Sequence, residues 1–357
     1  MASIQKADPV NYLNIGLMIL SAALALRYPF ELFLMAYAVL GPLHYLTEIS
    51  WLHDRNYYTQ GKQDYLFLVA ASILITAFFF NWIPFTPKGT VEFLTYLSFA
   101  AAFIFAFFKG ASARVLGVAV AVAAVGLFAQ FTFYRTLFGV LLPTLVHVFI
   151  FTGLFILAGA LRGRSLSGLL SLLVFIGMAA GLLLYHPDHS HYQVGDYVRD
   201  SYGVFQPDGK GTSPFISLNY AVANLFKMAD FNRPGLSATE VIGDINQFLY
   251  QNPAALALMS FIAFAYTYHY LNWFSKTSVI RWHEIPRNRF VAILLIWVGS
   301  LVLYGYSYGL GFRWLFFLSF THVLLEFPLN HLTFLNIGKG LGDIFTRGPR
   351  VKRAETT

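Results

Sequence analysis

The sequence has no cysteine and few charged residues. The absence of cysteine among its 357 residues excludes disulfides, thiolate metal sites and cysteine nucleophiles. Only 11% of the residues are charged and 57% are apolar, whereas a soluble domain carries about a quarter charged residues. So little charge cannot cover a surface that faces water, and we expect most of this surface to face lipid.

Common motifs of soluble enzymes are also missing. The sequence has no glycine-rich phosphate loop and no H-E-x-x-H pair, so nothing in it indicates phosphoryl transfer or a zincin-type peptidase. The net charge is +7, but the basic residues are spread over loops and the C-terminal tail. We therefore expect no nucleic-acid partner, and a tail that contacts anionic lipid.

Apolar segments recur along the whole chain at about 20 residues each, the length that crosses a hydrocarbon layer of about 30 Å. They predict an all-α polytopic integral membrane bundle. The first segment lacks a small-residue cleavage pattern, so we expect it to be a retained helix. The ten predicted spans are Asn11–Arg27, Pro29–Ile49, Tyr65–Pro84, Val91–Phe108, Ala113–Phe133, Thr136–Ala160, Leu166–Tyr185, Pro253–Phe274, Phe290–Tyr308 and Phe312–Ile337.

The positions of the basic residues orient these spans, because cytoplasmic loops are enriched in Lys and Arg. Of the 24 such residues, all except eight fall in the N-terminal segment, in the connections on that same side or in the tail. This bias predicts that both termini are cytoplasmic and is typical of a bacterial inner-membrane protein. The eight exceptions are Arg27, Lys88, Arg135 and Arg313 in short outer connections, and Arg199, Lys210, Lys227 and Arg233 in a long outer segment.

The spans divide the chain into four parts. Residues 1–185 hold the first seven helices, 186–247 form an outer polar segment, 248–338 hold the last three helices, and 339–357 form a basic cytoplasmic tail. Within the outer segment, Ser213–Phe231 is too interrupted by polar residues to span, and we expect an interfacial helix there that lies along the membrane or caps the bundle.

One polar cluster in the outer segment has two interpretations. It resembles a metal-binding tract, but a solvated loop is favoured, because Pro187 ends the preceding helix. The residues concerned are His186, Asp188, His189 and His191.

Four histidines fall within predicted spans: His44, His147, His269 and His322. The predicted topology makes their four helices parallel and puts the imidazoles about ten to sixteen residues from the outer ends, roughly 15 to 24 Å deep. Ionisable groups at such depth are costly and are functional candidates. Either each histidine forms a hydrogen bond with a neighbouring helix, or the four histidines bind one metal ion.

Two glutamates extend this pattern. Glu48 follows His44 by four residues and Glu326 follows His322 by four, so each lies one turn inward on the same helix face. They could be metal ligands themselves or could orient the imidazoles. A site rich in imidazole suits iron, copper or zinc. We expect dioxygen and a hydrophobic substrate, because the surrounding helices are apolar.

The four histidine segments resemble the motifs of the Brp/Blh-type β-carotene dioxygenases, which are integral membrane enzymes. GPLHYLTE around His44 is similar to that family's first motif, LVHVF around His147 to its second, AYTYHYLNWF around His269 to its third and FTHVLLEF around His322 to its last. Glutamate stands here where the family has aspartate, and Trp273 stands in place of a second imidazole. The resemblance implies an iron-dependent oxygenase with a carotenoid or another isoprenoid as substrate.

Three hypotheses follow. The first is a membrane-embedded, metal-dependent oxygenase, with His44, His147, His269 and His322 as ligands and Glu48 and Glu326 as additional ligands or orienting groups. The second is a transporter or proton-coupled channel that uses the same groups as a relay. The third is a structural subunit of a larger membrane complex, in which the histidines form interhelical hydrogen bonds or bind haem.

Overall fold

The computed structural model of the chain describes residues 4–84, 87, 89–185, 192–203, 213–229, 231 and 237–347. Those residues are almost entirely helical and contain no strand. We number the helices in chain order: α1 (Ile4–Arg27), α2 (Pro29–His53), α3 (Asp64–Phe79), α4 (Thr90–Phe107), α5 (Ala111–Phe128), α6 (Thr132–Gly163), α7 (Leu166–Leu184), α8 (Asp196–Tyr202), α9 (Pro214–Leu225), α10 (Ala238–Gln251), α11 (Pro253–Ser275), α12 (Arg287–Tyr306) and α13 (Tyr308–Arg347).

Nine helices in this described part of the chain are long and apolar enough to cross a membrane: α1, α2, α4 to α7 and α11 to α13. A further apolar helix, α3, has 16 residues. It ends before the predicted Pro84, because Asn81 has a φ of 54°, which an α-helix does not accommodate. The predicted all-α membrane bundle is confirmed. Its orientation stays a prediction.

The polar segment between α7 and α11 contains three helices among its described residues. The predicted amphipathic stretch forms α9, which begins with Pro214 after a cap in which the Ser213 hydroxyl accepts a hydrogen bond from the Phe215 N–H. This helix buries most of its apolar side chains against α6 and α11. The sequence pattern did not predict α8 or α10.

The start of α10 is a capping box. The Ser237 hydroxyl accepts from the Glu240 N–H, and the Glu240 carboxylate accepts from the Ser237 N–H at 2.7 Å. These hydrogen bonds to the Ser237 side chain and backbone lower the pKa of Glu240, since they stabilise its charged form. The box satisfies N–H groups that the first turn of a helix otherwise leaves without partners.

The centre of the bundle is α11. In α11, 89% of the apolar span is buried. The corresponding shares are 11% for α5 and 17% for α12, which lie at the periphery. Helix α11 packs against α1, α2, α6 and α7, and the long α13 packs against α2, α3, α4, α6 and α12. Four helices, α2, α6, α11 and α13, therefore surround the interior in which polar side chains can meet.

Two of these inner helices widen into π-helix close to a histidine. The widened segments are Ala36–Leu40 in α2 and Leu137–Phe151 in α6. A proline accompanies each: Pro42 lies two residues after the end of the first, and Pro143 lies inside the second. Because proline lacks the N–H that closes an α-helical hydrogen bond, the ladder must adjust there. π-Helical turns are rare and occur often at functional sites.

Gly311 provides a direct test of the packing between α12 and α13. A Cβ atom at this glycine would lie 2.5 Å from Cγ of Tyr304, whose ring is buried. We predict that Gly311→Ala lowers the free energy of unfolding by about 1–3 kcal/mol, because the ring base cannot move without shifting α12. Thermal unfolding in detergent measures this.

The matched control is Gly305→Ala, since nothing lies within 4 Å of a Cβ at Gly305. Alanine in an open helical position should leave stability unchanged or raise it slightly. Equal stability of the two variants would contradict the packing described for Gly311.

Candidate metal centre

The structure brings the four predicted histidines together inside the bundle. His44 comes from α2, His147 from α6, His269 from α11 and His322 from α13, and all four are buried. Their rings form a closed circuit with centroid separations of 4.8 Å (His44 to His269), 5.0 Å (His269 to His147), 5.1 Å (His147 to His322) and 5.4 Å (His322 to His44). We call this group the histidine cluster.

The imidazole nitrogens face one another within the histidine cluster. Nε2 of His44 lies 3.1 Å from Nε2 of His269, and Nε2 of His147 lies 3.2 Å from Nε2 of His322. Metal–nitrogen distances of about 2.0–2.1 Å put neighbouring ligand nitrogens about 2.8–3.4 Å apart, from octahedral to tetrahedral geometry. The separations observed here fit that range.

Three of the histidines meet the geometric requirement of a metal site most closely. One ring nitrogen each of His44, His269 and His322 lies within 4.8 Å of the other two. His147 completes the cluster through its contacts with His269 and His322. The residues present therefore fit a metal ion bound by three imidazoles, with a fourth adjacent.

Thr152 fixes the orientation of His269. Its Oγ1 lies 2.8 Å from Nδ1 of His269, on the side of the ring opposite Nε2. When Nδ1 carries the proton and donates to this hydroxyl, Nε2 retains the lone pair that a metal requires. Hydrogen bonds of this kind commonly orient metal-binding imidazoles.

Glu48 lies on the ligand side of the histidine cluster. Its Oε2 is 3.1 Å from Nε2 of His44, the same nitrogen that faces His269. The approach is close, but its angles are not those of a hydrogen bond, and this buried oxygen has no hydrogen-bond partner among the described residues. A cation between these groups would compensate the buried carboxylate. Glu48 is therefore placed to act as a ligand itself.

Glu326 takes a different position from the one that its spacing indicates. The interval of four residues pairs it with His322, but its Oε2 lies 3.2 Å from Nδ1 of His147, on another helix. It therefore stands behind His147, since Nε2 of that ring faces the cluster. The sequence left the roles of the two glutamates open, and the geometry separates them into a ligand position for Glu48 and an orienting position for Glu326.

Buried polar atoms without hydrogen-bond partners concentrate at this centre. They include Oε2 of both glutamates and Nδ1 of His44, His147 and His322. Such atoms are uncommon in folded proteins and indicate a water, an ion or a functional role. Together with the donor set, they make this the strongest candidate site in the described part of the chain.

Aromatic side chains surround the histidine cluster. The Tyr45 ring stacks on His322 at 4.1 Å, and its hydroxyl lies 2.6 Å from that of Tyr270. Trp273 packs edge-on against His44 and donates from Nε1 to Thr47 Oγ1 at 3.0 Å. Chain adjacency to His44 and His269 could have identified Tyr45 and Tyr270. No sequence signal connects Thr152 with His269.

A cavity of about 400 Å³ reaches three of the four imidazoles, those of His147, His269 and His322. It continues toward the ends of α3, α4 and α6 that the predicted topology assigns to the outer side. Its walls include six phenylalanines: Phe78, Phe79, Phe215, Phe312, Phe316 and Phe320. The site is therefore accessible from an apolar space rather than sealed.

The other histidines do not join the cluster. His331 bonds the Phe99 carbonyl through Nε2 at 3.2 Å, and Nδ1 of His53 lies 3.3 Å from the Tyr57 hydroxyl. His283 lies in an exposed loop near Glu284. The predicted outer cluster of His186, Asp188, His189 and His191 lies outside the described residues.

Comparison with known proteins gives no further assignment. No protein-family model, no curated protein and no solved structure matches the chain. The function must therefore be inferred from the site itself.

Proposed function

We propose that this protein is a membrane-embedded, metal-dependent oxygenase, with non-haem iron as its metal and a hydrophobic molecule as its substrate. The observation that carries the proposal is the closed circuit of four imidazoles at the end of an apolar cavity. Polar groups this deep in a bundle are costly unless they serve a common partner.

Each residue of the site has a role in this proposal. His44, His269 and His322 bind the metal, His147 provides a fourth nitrogen, and Glu48 adds an oxygen donor. Glu326 orients the ring of His147, and Thr152 orients the ring of His269. Imidazoles suit iron, copper and zinc alike, and an oxygen donor beside them favours iron.

The protein's own contribution is to bind the substrate, orient it and exclude water. The cavity meets the ring edges of His147, His269 and His322, so a molecule in it lies directly beside the ligand nitrogens. The oxidative chemistry would come from bound iron and dioxygen. The motif resemblance favours a carotenoid or another isoprenoid, and the loop charges favour the bacterial inner membrane with both termini cytoplasmic.

The same contacts support a second candidate, a proton-coupled transporter. Glu48, His44, His269 and Thr152 follow one another at separations of 3.1, 3.1 and 2.8 Å, which a rotation of the Glu48 carboxylate would turn into a chain of hydrogen bonds for proton exchange. A haem-binding subunit is less compatible with the geometry, because no flat macrocycle fits between imidazoles in mutual contact.

Metal analysis of the purified protein tests the leading proposal. After incubation with Fe²⁺ and removal of excess metal, we predict about one tightly bound ion per chain by elemental mass spectrometry. His269→Ala and His322→Ala should lose that ion, because each removes a nitrogen of the cluster. His331→Ala is the matched control, a histidine of α13 outside the cluster, and should retain it.

Binding of less than about a tenth of an equivalent of iron, copper or zinc, after reconstitution with each, would refute the metalloenzyme. Proton flux into proteoliposomes that depends on His322 in such metal-free protein would instead support the transporter.

Substitution of the two glutamates separates their roles. We predict that Glu48→Gln shifts the visible absorption bands of the Co²⁺-loaded protein, because it alters an atom bound to the metal. Glu326→Gln should leave the bands in place and weaken metal binding about tenfold to hundredfold, as loss of a group that orients a metal-binding imidazole does. Chelator competition measures the affinity. Identical effects of the two variants would contradict the assignment.

A further inference from the structure

The cavity changes character along its length. At the inner end it is bounded by buried imidazoles and by Tyr45 and Tyr270. Those two hydroxyls bond each other at 2.6 Å, so they do not need a polar group of the ligand as a partner. From Phe312 to His322, along α13, is about 15 Å at 1.5 Å per residue. The part of the cavity between Phe312 and His322 therefore suits an apolar chain.

The opposite end is polar and more exposed. Asn81, Glu92 and Gly139 line the cavity there, at the end of α3, the start of α4 and the outer part of α6. Asn81 is exposed and Glu92 is half-buried, in contrast to the buried histidines. This end is the mouth of the cavity.

Glu92 is the one acidic residue among those that line the cavity in the described structure. No hydrogen bond or ion pair joins its carboxylate to another described side chain. A carboxylate beside an apolar space attracts a cation or a hydrogen-bond donor and repels an anion more strongly than it would in water. The charge at the mouth therefore selects among ligands by their head group.

Gly139 gives Glu92 its place at the mouth. A Cβ atom at Gly139 would lie 2.7 Å from Cγ of Glu92, so the glutamate side chain crosses α6 where that helix has no side chain. The absence of a side chain at position 139 holds the carboxylate against the cavity. Two residues on different helices thus determine the polarity of the mouth.

The volume limits the length of the ligand. At about 400 Å³, the cavity lies toward the lower end of the roughly 300–1,000 Å³ that small-molecule sites usually occupy. The space matches a single short isoprenoid or alkyl chain.

From these features we infer that the cavity binds a single-chain amphiphile with an amine or hydroxyl head group, and that it discriminates against carboxylates. The head group lies at Glu92, and the tail lies against the histidine cluster. That the tail end is the part that reacts rests on the proposed function. The binding itself requires no metal.

Three probes that share one fifteen-carbon tail test the inference: farnesylamine, farnesol and farnesoate. Equilibrium binding is measured with chelator-treated protein in nanodiscs, with protein-free nanodiscs subtracted to remove partitioning into lipid. We expect farnesylamine to bind at least about tenfold more tightly than farnesoate, because a charge-assisted hydrogen bond to Glu92 replaces a repulsion. Farnesol should fall between the two.

Variants assign the preference to Glu92. Glu92→Gln should weaken the binding of farnesylamine about tenfold and leave the affinity for farnesol within about twofold. Gly139→Ala keeps the carboxylate but displaces it, so it should also weaken the binding of farnesylamine. The controls are Glu31→Gln, a first-turn carboxylate on α2 that does not line the cavity, and Gly159→Ala in α6, where a Cβ meets nothing within 4 Å.

Farnesoate binding as tight as farnesylamine binding, or equal effects of Glu92→Gln and Glu31→Gln, would overturn the inference. Its failure is distinguishable from failure of the proposed function, because the metal analysis has a separate readout. Protein that binds metal but shows no head-group preference overturns only the amphiphile site. Protein that shows the preference but binds no metal overturns only the oxygenase.

Discussion

The burial of imidazoles and carboxylates inside an apolar bundle is the constraint on which the rest of this structure depends. A polar group in such surroundings costs several kcal/mol unless another group or an ion compensates it. Four histidines and two glutamates from four helices face one another, and a bound ion would compensate their polar atoms that have no hydrogen-bond partner. The packing of α2, α6 and α13 around α11 brings these six side chains to one centre.

The backbone adapts to this constraint at two inner helices. Regular α-helix repeats every 3.6 residues, and the π-helical segments in α2 and α6 change the direction in which later side chains point. They lie beside Pro42 and Pro143, two and four residues before His44 and His147. The local departure from α-helix therefore aims two imidazoles at the centre, at the expense of regular hydrogen bonding in those turns.

The cavity and the histidine cluster form one continuous site, and its parts differ in the chemical groups that they provide. The cluster provides nitrogen and oxygen donors at the inner end, the phenylalanines provide an apolar wall, and Glu92 over Gly139 provides charge at the mouth. A hydrolytic site for a polar substrate would need water and polar walls along this path. The observed gradient from polar mouth to apolar interior is instead suited to a lipid-like molecule that enters with its tail first.

The sequence by itself determined the class of the protein, the long apolar helices and the polar residues of the candidate site. Apolar length and the scarcity of charge predicted the spans, because only helices satisfy the backbone inside a membrane. The free-energy cost of burying polar groups in apolar spans singled out six residues: His44, His147, His269, His322, Glu48 and Glu326. Only the tertiary structure decided which atoms meet. Glu326 lies against His147 rather than His322, and Thr152 bonds His269, since spacing along one helix cannot report contacts between helices. The position of Glu92 at the mouth of the cavity could not be predicted from the sequence either, because it depends on the absence of a side chain at Gly139 on a different helix.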